Sequence, residues 1–286
     1  MIYGHSEADK YVYHYTRAET ARDFILKSST LRLNTFSETN DPRESKAWTF
    51  NLWTTGKYDL GRYNMQEMSA WFSNVLKSKA RLACFVRDQA PLTGDHTRDI
   101  LQRGLARARM WAQYADKHRG VCLVFDKARV IKAVTAHLSP RLCWVGDVVY
   151  RDHYIVRSAP PHEFAINVDE LEALGPEQYA QRHVDLYHHQ LFFEKLTDWK
   201  DEVEWRVVVL GQDEDPLHLP IESALVGVIH GVSIDIDISE QLIIQTEGRS
   251  VEHMGIIWKN SGPWYDLGGS RWSGSGRTLL CRKTRK

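Results

Sequence analysis

The feature that most restricts the fold is the run Trp205-Arg-Val-Val-Val-Leu210, entered through the acidic, aromatic turn Lys195-Leu-Thr-Asp-Trp-Lys-Asp-Glu-Val-Glu204. Val207 to Leu210 is an unbroken apolar run, which predicts a strand buried on both faces. Successive strand side chains point to opposite faces, so the spacing places Glu202, Glu204 and Arg206 on one face and Val203, Trp205 and Val207 on the other. Two carboxylates would then project together from a rigid base. The bland alternative is a solvated charge cluster at a strand end, its acids neutralised by Arg206 or a lysine.

With 286 residues and no Pro/Gly/Ser-rich linker, the chain is expected to be a single domain spanning 1–286. Lys plus Arg (37) balance Asp plus Glu (37), so no global field demands a nucleic-acid or membrane partner, although the tail at 271–286 is locally basic. The absence of a signal-like apolar start, and of any run near the roughly 18 residues that span a bilayer, predicts a soluble cytoplasmic protein without membrane contact. Cys84, Cys122, Cys143 and Cys281 are scattered with no C-x-x-C spacing and read as reduced core thiols, leaving no metal site to propose.

Tyr11-Val-Tyr-His-Tyr-Thr16 alternates as a strand, with Tyr11, Tyr13 and Tyr15 opposite His14. A helix is predicted over Ala18 to Ser28, a strand over Thr30 to Asn34, and then an ordered turn, Phe36-Ser-Glu-Thr-Asn-Asp-Pro42, of the kind that carries sites after strands. Helical spacing recurs over Asn64 to Lys79 and over Leu105 to Asp116, where Trp111 and Tyr114 share a side and Gly120 is the stop signal. Strands are expected at Arg81–Val86, Val121–Phe125, Trp144–Tyr150, Leu225–Gly231, Met254–Trp258 and Arg277–Cys281. A helical insertion is expected at about 160–195, with His183, His188 and His189 as exposed helix histidines. The irregular order of elements and the lack of G-x-G-x-x-G, P-loop and G-x-S-x-G motifs leave an α+β fold with a mixed or antiparallel sheet.

Four separated motifs, Tyr13-His14-Tyr15-Thr16, Asn40-Asp41-Pro42-Arg43-Glu44, Met110-Trp111-Ala-Gln-Tyr114-Ala with His118-Arg-Gly-Val-Cys122, and Trp199-x-x-Glu202-x-Glu204-Trp205-Arg206, together resemble a bacterial domain family of unknown function. More remotely the chain resembles the ADP-ribosyltransferase superfamily, in which an early strand carries His or Arg and a late strand starts with Glu-x-Glu. That resemblance implies a mixed, largely antiparallel split sheet with helical insertions and NAD as co-substrate. It implies catalytic roles for Glu204 and Glu202, with His14, Tyr15, Thr16, Asn40, Asp41, Trp111, Tyr114 and Arg206 around the dinucleotide. His14 would bond a ribose, Trp111 or Tyr114 would wall the nicotinamide, and His14 and Glu204 would line one pocket.

The chemistry suits these residue types. Breaking the nicotinamide glycosidic bond builds positive charge on the ribose, which a fixed carboxylate at Glu204 stabilises, while Glu202 would take the acceptor's proton and Arg206 hold a carboxylate or a phosphate. The resulting expectation is a mono-ADP-ribosyltransferase, a bacterial toxin or phage-defence effector acting on nucleic acid or protein and held in check by an antitoxin. The alternatives are an NAD glycohydrolase and a non-catalytic module that stacks bases on tryptophans.

Overall fold

A computed structural model describes residues 1–138, 142–152, 162–211, 216–260 and 262–267. The fold is mixed α/β on a large, mostly antiparallel sheet. Its strands are β1 (Tyr11–Thr16), β2 (Thr30–Thr35), β3 (Asn51–Trp53), β4 (Ala80–Arg87), β5 (Val121–Asp126), β6 (Leu142–Asp147) and β7 (Val149–Tyr150). There follow β8 (Ala165–Asn167), β9 (Glu194–Lys195), β10 (Glu204–Leu210), β11 (Leu217–Pro220), β12 (Leu225–His230), β13 (Glu252–Lys259) and β14 (Gly262–Asp266). The chain divides into two compact units, one of Met1–Leu31, Phe85–Ala133 and Pro220–Lys286, the other of Arg32–Cys84 and Val134–Leu219.

In the first unit the strands run β4, β1, β5, β12, β13, β14, with β14 at the edge, and only the β12–β13 pair is parallel. The alternation predicted for β1 places Tyr13 and Tyr15 in a core with Trp111, Cys122, Val124, Ile229 and Met254, while His14 is half-buried. Gly120, read as a helix stop, follows a turn in which Asp116, Lys117 and His118 all adopt left-handed φ (46°, 53° and 70°). Each costs on the order of 1 kcal/mol. Bonds from His118 N to Trp111 O (3.1 Å) and from Gly120 N to Ala115 O (2.8 Å) hold the turn in place. A Cβ at Gly120 would sit 2.2 Å from Thr16 O and 2.9 Å from Ala115 Cα, backbone atoms that cannot swing aside. Gly120→Ala is therefore expected to destabilise the protein by at least about 2 kcal/mol in urea unfolding. A change below about 0.5 kcal/mol would show that the turn relaxes freely.

In the second unit β4 lies between β2 and β10, and β10 pairs antiparallel with β6. Helix Met65–Lys79 is capped by Asn64, whose side chain accepts from Gln66 N and Glu67 N. Within the expected helical segment lie helices Val168–Leu174 and Pro176–Phe192. The core is aromatic: Phe36, Trp48, Phe50, Phe72, Tyr179, Phe192 and Phe193.

Here the exposed-histidine expectation fails for His183, which is buried, packs edge-on to Phe72 at 4.9 Å and shares a hydrogen bond with Glu163 O (3.0 Å). Tyr179, Ala180, His183 and Val184 form one apolar stripe that the helix's polar average hides. His188 is half-buried and His189 exposed. Two helices that are not among the expected elements also form, Lys127–Leu138, with Val130, Val134 and Leu138 buried at helical spacing, and Ile236–Gln245. The predicted strand Arg277–Cys281 and the basic tail at 271–286 lie outside the described residues.

Candidate functional site

Strand β10 begins at Glu204, later than its alternation suggests. Thr197–Glu202 winds as a 3₁₀ helix, and Val203 ends it in a left-handed conformation (φ 47°). Glu202 is thus not on the strand face shared by Glu204 and Arg206. The turn nevertheless brings the two carboxylates to a common partner: Lys195 Nζ lies 2.8 Å from Glu202 Oε2 and 2.8 Å from Glu204 Oε2.

Arg206, fully buried, ties this end of the strand together. Its Nε donates to Glu204 Oε1 (2.5 Å), Nη2 to Glu204 Oε2 (3.1 Å) and to Glu44 Oε1, and Nη1 to Phe192 O (2.7 Å). Glu204 is 4% exposed, and Glu202, Glu44 and Lys195 are buried as well, so the solvated-cluster alternative is overturned. The neutralising cations named in that alternative, Arg206 or a lysine, are present as Arg206 and Lys195, but they are buried with the acids.

Burial pushes the Glu204 carboxyl up, but Arg206 and Lys195, with the Arg206 hydrogen bonds, outweigh it and hold the group at about 2. For Lys195, burial alone would lower the ammonium; Glu204 leads the acids that instead raise it well above its usual value. The backbone N–H of Glu204 donates to Tyr150 Oη (2.8 Å), fixing the residue at its main chain too. Burial raises the Cys84 thiol well above its ordinary range, as expected for a core thiol.

Glu44 arrives on the short helix Pro42–Ser45, which Asp41 caps by accepting from Arg43 N (2.9 Å). Arg43 in turn donates to Gln190 O (2.7 Å) and Glu194 Oε2 (3.1 Å). Asp41 is buried while Asn40 is exposed. Lys77 Nζ donates to Glu44 O (2.5 Å); burial, opposed by Glu44 and Asp41, brings its pKa down to about 8.

The remaining candidates lie in the first unit. His14 packs against Phe85 with ring centroids 5.8 Å apart, and Thr16 closes β1 opposite Val121. Tyr15 donates to Gly104 O (2.6 Å) and meets Trp111 edge-on at 5.2 Å. Trp111 is fully buried and donates its Nε1 to Leu105 O (2.8 Å), so core packing accounts for it; Tyr114 is half-buried. The four motifs therefore close up in pairs, the first with the third in one unit and the second with the fourth in the other. Residue types alone pointed to Glu202, Glu204 and Arg206 but passed over Glu44, Lys195 and Tyr150. Glu44 stood inside a quoted motif, and Lys195 headed the central stretch.

The third and fourth motifs also fall together within a segment that matches a family model. Residues 110–207 match the family described as Protein of unknown function (DUF2971). The resemblance to a domain family of unknown function holds over that segment. No curated protein and no solved structure matches the chain.

Proposed function

We propose that the chain is an NAD-consuming mono-ADP-ribosyltransferase whose charge-stabilising carboxylate is Glu204. The observation that supports this is a carboxylate at the head of a buried strand, held far below its usual pKa by two cations and so ready to face a developing positive charge. Glu204 is already fully engaged in this state. A ribose 2′-hydroxyl would replace Lys195 at Oε2, leaving Lys195 on Glu202. The bond from ribose C1′ to the nicotinamide nitrogen then breaks, its electron pair leaving with nicotinamide. The acceptor forms the new bond to C1′ and gives its proton to Glu202 or to solvent. On this reading the acceptor is a nucleic acid or a protein, and expression of the enzyme arrests growth unless a partner neutralises it.

The test is incubation with NAD labelled in the ADP-ribose part plus cell lysate, reading nicotinamide release and label that survives protease or nuclease. Wild type should release nicotinamide and label one acceptor class. Glu202→Gln should retain more nicotinamide release than transfer, since a water that takes the acceptor's place at C1′ gives its proton to bulk solvent and does not need Glu202. Absence of nicotinamide release in every fraction would overturn the proposal.

A further inference from the structure

We propose that the segment 196–203, which joins β9 to β10, is a hinged cover that swings outward to admit substrate to the Glu204 carboxylate. If Glu204 is the group that meets the substrate, as proposed above, something must move. In this state Glu204 is 4% exposed, Lys195 Nζ lies 2.8 Å from its Oε2, and Arg206 donates to both of its oxygens.

Most groups around Glu204 sit on paired strands. Arg206 is on β10 itself, Cys84 on β4 and Tyr150 on β7, and Arg151 N donates to Lys195 O (3.0 Å), which holds the β9 backbone. The connection 196–203 is different. Leu196, Asp198, Lys200 and Asp201 are exposed, Thr197 and Trp199 are half-buried, and of its eight residues only Glu202 and Val203 are buried. A segment with little buried apolar surface opens locally far more often than the whole fold unfolds. Its inner side is fastened to the lysine that blocks Oε2: the Trp199 ring centroid lies 5.2 Å from Lys195 Nζ, and Glu202 Oε2 lies 2.8 Å from the same nitrogen. Outward movement therefore draws Glu202, and Lys195 with it, away from Glu204. Arg206 stays on the carboxylate, and the place of Lys195 at Oε2 passes to a substrate hydroxyl. The two ends of the cover suit this motion. Val203 holds a left-handed φ of 47°, which a β-branched side chain disfavours, so it is the hinge that relaxes to extended backbone on opening. At the other end, Thr197 N donates to Asp152 Oδ1 (3.1 Å) and Thr197 Oγ1 to Asp152 Oδ2 (2.7 Å), an exposed latch whose bonds water readily replaces.

The experiment is hydrogen exchange of the full chain without NAD, read by mass spectrometry, beside acetylation of Lys195 by acetic anhydride. Amides at 199–203 should exchange about 100-fold or more faster than those at 207–209 in the strand core. Asp152→Ala should speed both that exchange and Lys195 acetylation by about 3- to 10-fold, with 207–209 and the melting temperature unchanged. Thr197→Val, which keeps the N–H bond to Asp152, should give a smaller increase. Nicotinamide release at low NAD should rise in Asp152→Ala by the same factor. Exchange at 199–203 as slow as at 207–209, or opening indifferent to Asp152→Ala, would overturn the cover. Opening as described without any nicotinamide release would support the cover and remove the NAD reading instead.

Discussion

Arg206→Met is expected to lower the stability of the protein by about 3–5 kcal/mol, because it strips the shared partner from two buried carboxylates. In a chain of this size that shifts the melting temperature by on the order of 10 °C. Glu204→Gln is isosteric, yet it is not silent to the fold: it leaves Arg206 with Glu44 and Lys195 with Glu202, each short of one charge. It should destabilise less than Arg206→Met and still measurably, so its activity has to be read well below its own melting temperature. Replacing Glu44, Glu204 and Arg206 together by methionine should restore much of what Arg206→Met loses, since desolvating an ion cluster costs nearly what its attractions return. Thermal unfolding followed by circular dichroism decides it. An unchanged melting temperature in Arg206→Met would mean that the cluster is hydrated and its burial contributes little.

The second large effect is an acid transition. Burial lowers His183 and His253 to about 4 and His230 well below its ordinary value, and burial together with Arg103 lowers His5 to about 4. A directional chain keeps two of these rings neutral. Ser239 Oγ lies 3.0 Å from His230 Nδ1, His230 Nε2 lies 2.9 Å from His253 Nδ1, and His253 Nε2 lies 2.7 Å from Thr246 Oγ1. Thr246 donates to Leu242 O (3.0 Å), so His253 donates to Thr246 and His230 to His253, and with His230 neutral Ser239 donates to His230.

A histidine that is neutral in the fold but protonates near 6.5 when unfolded makes the unfolded state bind more protons below that pH. Stability is therefore flat above about pH 6.5 and falls between 6.5 and 4. At pH 5.5 His183 and His253 each cost on the order of 1 kcal/mol, and His5 and His230 act in the same direction. Against a total of roughly 5–15 kcal/mol, that is a large fraction. Glu204 works in a lower window: its stabilising contribution is present above its unfolded pKa and is lost only as pH falls toward 2. Urea unfolding at pH 7.5, 6.5 and 5.5 measures the slope, and His253→Gln should flatten it by the share of one proton. Equal stability across that range would show these histidines to be accessible to solvent protons in the fold.

Local pattern was enough to place strands β1, β4, β5, β10, β12 and β13 and the helix Met65–Lys79, because period-two and period-3.6 burial leave their mark on short windows. It was also enough to mark Glu204 and Arg206 as a charged pair on one face, since that depends only on the pleat. It did not determine whether that face meets water. Residues far apart in sequence do: Glu44, 162 positions before Arg206, and Phe192 supply the partners that let a charged face be buried. The same holds for Glu202, carried off the strand by the left-handed Val203, and for His183, whose burial depends on Phe50 and Phe72. Sequence fixes the period with which side chains alternate; only the packed tertiary structure decides what stands opposite each one, and hence whether a charge is solvated or locked.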